Sequence, residues 1–209
     1  MTRIFQDKKW VIASHNPGKI REFEAMLNLP GLALQGAGAL GLPEPDETGA
    51  SFAANARLKS LAASGKANLP ALADDSGLCV EALNGAPGIH SARWAGPNKD
   101  FNAAMEKIRA RLAEKNLVTS PAAFVAALCL STPNGALIEV EGRVEGALVF
   151  PPRGARGFGY DPIFVPRGEK RTFGEMPPEE KEKISHRAQA IGELKRILGL
   201  RGSGTRGLK

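Results

Sequence analysis

The spacing of apolar residues changes several times along this chain, and each change marks a predicted element. Lys9–Ser14 (KWVIAS) is a short apolar run of the kind that forms a buried strand. HNPGK interrupts it, and Ile20, Phe23, Met26 and Leu27 then recur at helical spacing. Leu32–Leu34 could return as a second strand, a Gly- and Pro-rich loop covers Gly36–Gly49, and SFAANARLKSLAASG predicts a second helix. ALADDSGLCVEAL is strand-like on both sides of a polar centre, with a sharp turn expected at Ser76-Gly77. After the loop NGAPGIHSARWAGPN, the residues Phe101, Ala104, Met105, Ile108 and Leu112 share one face of a 3.6-residue period, which is a core-packing stripe.

From Ala122 the period falls to two. FVAALCLS runs into Pro133-Asn134-Gly135, and Ile138, Val140, Val144 and Leu148 then alternate with Glu139, Glu141, Arg143 and Glu145. Asn-Gly between such runs predicts a hairpin. Gly142 and Gly146 lie on the apolar phase of its second strand and suggest a bend or bulge. A loop PPRGARGFGYDP, a short strand IFVP and a helix from about Pro178, with Ile184, Ala188, Ile191, Leu194 and Leu198 on its apolar side, complete the pattern. Strands mixed with helices, plus a long hairpin, predict an α/β fold around a mixed sheet.

The 209 residues suit one large domain or two intimate lobes. With 43% hydrophobic and 24% charged residues the chain should fold, and 24 Gly and 15 Pro predict many turns and functional loops. No apolar run approaches the roughly 20 residues that cross a bilayer, so no membrane association is expected. The start, MTRIFQDKKW, has no apolar stretch of signal-peptide length, which makes the cytoplasm the expected location. The formal charge is +6, but Arg3, Lys8 and Lys9 near one end and Arg201, Arg206 and Lys209 near the other supply most of it. A nucleic-acid polymer partner, which needs a basic stripe on the folded surface, is therefore not expected. Residues 201–209 (RGSGTRGLK) have the composition of a flexible basic tail. Cys79 and Cys129 stand apart in apolar contexts and suit buried thiols rather than a metal or redox pair.

Four segments could carry chemistry. Ser14–Lys19 (SHNPGK) joins strand to helix, where free N–H groups, a Gly and a Lys charge suit a phosphate, or equally an ordinary turn. Ser14 and Ile20 depart from the Walker A pattern. Asp74 and Asp75 are adjacent acids whose repulsion a divalent cation shared with other oxygens would relieve; Asp46-Glu47 could add an oxygen, and capping a turn is the alternative for both pairs. In Phe158–Pro162 (FGYDP), aromatic rings flank Gly159 beside Asp161, an arrangement that suits a nucleobase or simple packing. In ISHRAQA, His186 and Arg187 fall off the apolar phase; they are exposed helix residues or donors to a purine edge, with Lys181 a turn or so before them.

SHNPGK, ETGASFAANA, ADDSGL, PGIHSARWAG, FGYDP and SHRAQA occur in this order, and with that set the sequence resembles the Ham1/RdgB family, the inosine triphosphate pyrophosphatases, from about Val11 to Ile191. The resemblance implies a two-lobed α/β domain over residues 1–200 around a long mixed sheet, usually a homodimer. It implies magnesium-dependent hydrolysis of inosine, deoxyinosine and xanthosine triphosphates to the monophosphate plus pyrophosphate, which clears deaminated purines from the nucleotide pool. Residue by residue, Ser14, His15, Asn16, Pro17, Gly18 and Lys19 resemble the phosphate-binding segment. Glu47 and Asp75 resemble the metal ligands, Asp75 also the general base, and Ser76 a substrate contact. Phe158, Gly159, Tyr160, Asp161, Lys181, His186 and Arg187 resemble the nucleoside and phosphate contacts. On that basis Lys19, Lys181 and the metal would neutralise the triphosphate while Asp75 activates water, and a donor facing the 6-oxo group would reject adenine.

Overall fold

The structure, a computed structural model, describes residues 8–200; the basic tail and most of the charged start lie outside the described residues. One six-stranded sheet runs in the order β2-β1-β3-β4-β5-β6. Its strands are β1 (Lys9–Ile12), β2 (Ala33–Gly36), β3 (Ala71–Val80), β4 (Pro121–Ser131), β5 (Leu137–Leu148) and β6 (Phe164–Pro166). β1 lies parallel to β2 and β3, and the β3, β4, β5, β6 neighbours are antiparallel, so the sheet is mixed as expected. The helices are α1 (Pro17–Met26), α2 (Phe52–Ala67), α3 (Ser91–Trp94), α4 (Phe101–Ala113), α5 (Pro178–Ile184) and α6 (His186–Ile197).

Two apolar clusters share the long central strands. Leu78, Val80, Met105, Ile108, Leu112, Phe124, Phe164 and Phe173 pack beneath α4. Ile12, Phe23, Leu27, Leu72, Leu128, Leu130, Ile191 and Leu194 join α1 and α6 to the sheet. α2 approaches through small residues, with Ala56 against Ala127 and Ala63 against Ala71 and Ala73. Pairing of β1 with β3 ends at Ile12 and Leu72, whereas β3 continues to Val80. The chain leaving β1 therefore opens a cleft along the free edge of β3, the place where sheets of this type commonly bind ligands.

Several expectations are corrected. Asp74, Asp75, Ser76 and Gly77 form no turn; they lie inside β3, with an unbroken register to β4. Gly77 is needed for close packing instead, because a Cβ there would stand 2.4 Å from both the Gly88 carbonyl oxygen and Ser91 Oγ. Gly142 and Gly146 make no bulge either, since they pair in register with Ala126 and Ala122. A Cβ on Gly142 would stand 2.0 Å from the His186 carbonyl oxygen, and one on Gly146 would stand 2.3 Å from that of Val165. The last helix is two helices, parted at Ser185, whose extended backbone and side-chain bond to the Ala188 N–H start α6. That break turns His186 and Arg187 inward, so both are buried rather than exposed. The second strand also begins one residue later than its apolar pattern suggests, and Cys79 is only half-buried.

Candidate active site

Alternation along β3 decides the geometry of the two acids. Successive side chains of a strand leave opposite faces, so Asp74 points with Leu72 and Ser76 toward α1 and α6, while Asp75 points with Ala71 and Ala73 toward α2. The two carboxylates therefore do not converge on one point, as the pair alone suggested, and each has its own partners. Asp74 Oδ1 lies 2.8 Å from Lys19 Nζ, and its Oδ2 accepts from Arg187 Nη2 at 2.9 Å. Burial opposes this charge, but Lys19, Arg187 and the more distant Lys59 outweigh it and hold the carboxyl far below the usual range.

Asp75 faces a different set of groups. Asn55 Nδ2 donates to its Oδ2 at 3.0 Å, and Lys59 Nζ lies 3.4 Å from its Oδ1 and 2.5 Å from Glu47 Oε1. Glu47 and Asp75 thus converge on one buried ammonium group. Burial pushes the Asp75 carboxyl up, Lys59 and Asn55 offset it in part, and Glu47 adds to the rise. Burial alone would lower Lys59, yet Asp75, Asp74 and Glu47 outweigh it and keep the ammonium protonated.

Ser14–Lys19 stands at the mouth of the cleft. Asn16 caps α1 by accepting from the Gly18 and Lys19 N–H groups, and Pro17 occupies the first helical position, where a missing N–H is harmless. Asn16 Oδ1 is therefore spent on the turn, while Lys19 faces the cleft and Asp74. Gly18 is buried under Phe158, whose Cδ1 would be 2.9 Å from an added Cβ. Lys181 Nζ lies 4.7 Å from the Phe158 ring centroid and pairs with Asp161 at 2.7 Å and Glu22 at 3.1 Å. Burial would lower Lys181, but Asp161 and Glu22 raise it. Asp161 also accepts from the Phe158 N–H, which closes the FGYD turn.

Tyr160 is buried, set edge-on to Phe101 at 5.3 Å, and its hydroxyl donates to the Ser91 carbonyl. The His186 ring stacks on Phe124 at 4.9 Å and 11°, and its Nδ1 is buried without a hydrogen-bond partner. Burial, with the Arg187 and Lys181 charges, drives His186 well below its ordinary value, so the imidazole is neutral. Arg187 commits its donors to Asp74, Glu22 and Ser76, which leaves it little to offer a purine.

These groups surround a cleft of about 760 Å³. Ser14, His15, Asn16, Lys19, Glu47, Asp75, Ser76, Phe158, Gly159, Tyr160, Asp161, Lys181, His186 and Arg187 line it; Pro17, Gly18 and Asp74 lie behind the wall. Sequence reasoning missed Glu22, Asn55 and Lys59. Asn55 and Lys59 did leave a signal: they stand four residues apart on the same buried side of α2 as Ala56, Ser60 and Ala63, where polar side chains need partners.

The Ham1 family model matches residues 10–197. The chain belongs to the Ham1 family. A dITP/XTP pyrophosphatase of Caulobacter vibrioides is 57% identical over 190 residues, covering 91% of this chain and 97% of that one. Another protein of that name, from Bradyrhizobium sp., is 54% identical over 198 residues, covering 90% and 92%. Among solved structures, a Ham1 protein from Coxiella burnetii superposes with a TM-score of 0.84 at 37% identity, covering 92% of this chain and 99% of that one. The six-stranded mixed sheet is thus the Ham1 architecture.

Proposed function

We propose that this chain hydrolyses deaminated purine nucleoside triphosphates (dITP, ITP and XTP) to the monophosphate and pyrophosphate. The observation that carries the reading is the cleft itself, which brings Lys19 of the first turn of α1 and Lys181 of α5 into one cavity with the Glu47–Asp75 carboxylate pair. Relatives that match nearly the whole chain bear the name of that activity.

The donor set suits magnesium. Among the described residues no three His, Cys, Asp or Glu side chains gather as a self-sufficient metal cage. Magnesium commonly takes one or two carboxylates plus substrate phosphate oxygens, and Glu47 and Asp75, already sharing a cation in Lys59, are the residues that would hold it. When bound, it supplies positive charge at the phosphate oxygens.

The chain's own residues do the rest. Lys19 draws the triphosphate into the cleft, and Lys181 adds charge beside Phe158. Asp75 takes a proton from water at a carboxylate oxygen. The water oxygen bonds to the α-phosphorus as the bridging bond to the β-phosphate breaks, and pyrophosphate leaves with the electron pair. Phe158 offers a face for the purine, and neutral His186 offers a ring N–H to its 6-oxo group. Adenine presents an amino donor there, and the unpaired buried donors cost about 1–3 kcal/mol.

A cytoplasmic homodimer over residues 1–200 completes the proposal, in keeping with the family resemblance and with a substrate drawn from the nucleotide pool. A panel of nucleoside triphosphates with and without magnesium, scored for pyrophosphate against orthophosphate, tests it. Pyrophosphate from ITP and XTP, little product from ATP, and loss of turnover in EDTA are expected. Release of orthophosphate would point instead to a phosphatase.

A further inference from the structure

Of the six motifs that carry the family resemblance, PGIHSARWAG is the one to which no role falls in substrate or metal binding, and its position assigns it one. Glu47 sits on a loop, residues 41–50, in which no residue is buried. Leu42 packs on the Val11, Ala13 and Ala37 cluster at one end of the loop, and polar tethers decide where the stretch around Glu47 stands. His15 Nε2 holds the Leu42 carbonyl at 2.9 Å, and Asn55 Oδ1 accepts from the Gly49 N–H at 2.8 Å. At Glu47 itself there are two tethers: Lys59 on the side-chain carboxylate, and Arg93 Nη2 on the backbone carbonyl oxygen at 2.5 Å.

The two tethers at Glu47 differ in kind. Lys59 holds the same carboxylate that a divalent cation would bind, so its hold competes with that cation. The bond from Arg93 goes to the main chain and is compatible with a cation on the side chain. Arg93 is itself fixed relative to Asp75. Ser91, two residues before it, accepts from the Leu78 N–H of β3 through Oγ at 2.9 Å, donates to the Gly88 carbonyl at 2.7 Å, and receives the Tyr160 hydroxyl on its carbonyl at 2.9 Å. His90 Nδ1 accepts from Arg93 Nη1 at 3.1 Å and so orients the guanidinium. A rigid path therefore runs from the strand of Asp75, through Ser91 and Arg93, to the backbone of Glu47.

Resting on the metal reading above, we propose that Arg93 is a positioning residue that sets the separation of the Glu47 and Asp75 carboxylates and thereby the grip on the divalent cation. Arg93 is exposed, so its replacement should spare the fold.

The test has two arms, both on the full chain. In the first, hydrogen exchange is followed without divalent ion or nucleotide: Arg93→Ala is expected to speed exchange across residues 42–49 and leave β3 unchanged. In the second, magnesium chloride is titrated at saturating ITP: Arg93→Ala is expected to raise the half-saturating magnesium concentration about tenfold, with kcat at high magnesium near that of the parent. Arg93→Lys, which keeps one donor, is expected to fall between the two. Unchanged exchange over 42–49 would overturn the proposal. So would a raised KM for ITP with an unchanged magnesium requirement, since Arg93 would then be touching substrate. Parent turnover independent of divalent ions would sink the metal reading alone, and the exchange arm would still decide whether Arg93 holds the loop.

Discussion

Asp74 and Asp75 are consecutive residues whose carboxylates never share a partner at contact distance: one is clamped by Lys19 and Arg187, the other by Asn55 and Lys59. The strand between them separates two chemistries. On one face an acid paired with Lys19 and Arg187 organises the cationic wall of the cleft; on the other an acid of raised proton affinity shares Lys59 with Glu47.

That division predicts opposite phenotypes for the same conservative change. Asp75→Asn should keep the fold and lower kcat by about a hundredfold or more, the usual worth of a general base. Asp74→Asn removes the charge that balances buried Arg187 and Lys19, so it should cost about 3–5 kcal/mol of stability. Urea unfolding alongside steady-state kinetics separates the two. Equal loss of stability in both variants would contradict separate roles.

Lys59 supplies a second prediction. Lys59→Met leaves Glu47 and Asp75 facing each other with no ammonium between them. The variant should melt below the parent in EDTA, and magnesium should restore more of its melting temperature than it adds to the parent, because the ion then relieves an unbalanced carboxylate pair. Thermal melts with and without magnesium measure this. An equal magnesium effect in both proteins would show that the cation does not go between these two acids.

Much of this molecule is legible from spacing alone, and the exceptions share a cause. The stripe of α4 and the Asn134-Gly135 hairpin are local patterns, and both appear where the periods place them. Asp74-Asp75-Ser76-Gly77 resembles a turn because polar residues interrupt an apolar run, yet buried counter-charges from α1, α2 and α6 let the strand continue through it. Those partners are remote: Glu22 meets Lys181 and Arg187 across separations of 159 and 165 residues, which no local pattern encodes. Arg187 is off the apolar phase of its helix because its face is filled by charge rather than by hydrocarbon. In the candidate site, the segments that resemble known motifs were identifiable, whereas Asn55, Lys59 and Glu22 acquire meaning only once two elements meet.

Gly142 tests how closely the last helix must lie on the sheet. A methyl group there would meet the His186 carbonyl oxygen at 2.0 Å and the Ala190 nitrogen at 2.6 Å, both backbone atoms that cannot rotate away. Gly142→Ala should therefore lift the start of α6, cost about 1–3 kcal/mol, and raise KM for ITP by displacing His186 and Arg187. Gly192→Ala, on the same helix with nothing near the added group, should be neutral or mildly stabilising. Denaturation curves and KM values for the pair decide the matter, and a harmless Gly142→Ala would mean that α6 is not held at this distance.

Acid stability carries the signature of two buried groups, His186 and Asp74, whose folded values lie below their unfolded ones. His186 is held neutral by burial and by Arg187 and Lys181, so its folded value lies well below the unfolded one of about 6.5. As pH falls below about 6.5 the unfolded chain takes up a proton that the folded chain refuses, and stability must decline. Asp74 acts lower. Burial opposes its charge, but Lys19 and Arg187 depress its folded value below the unfolded one near 3.9. Its contribution is complete above that value and is lost as pH falls further through the acid range. Stability against pH should therefore fall in two stages, the first setting in below about 6.5 and the second adding to it below about 4. His186→Asn should flatten the first stage and leave the second. Urea midpoints from pH 8 to pH 3 measure both, and an unaltered slope between 6.5 and 5 in the variant would mean that the imidazole is not the group refusing the proton.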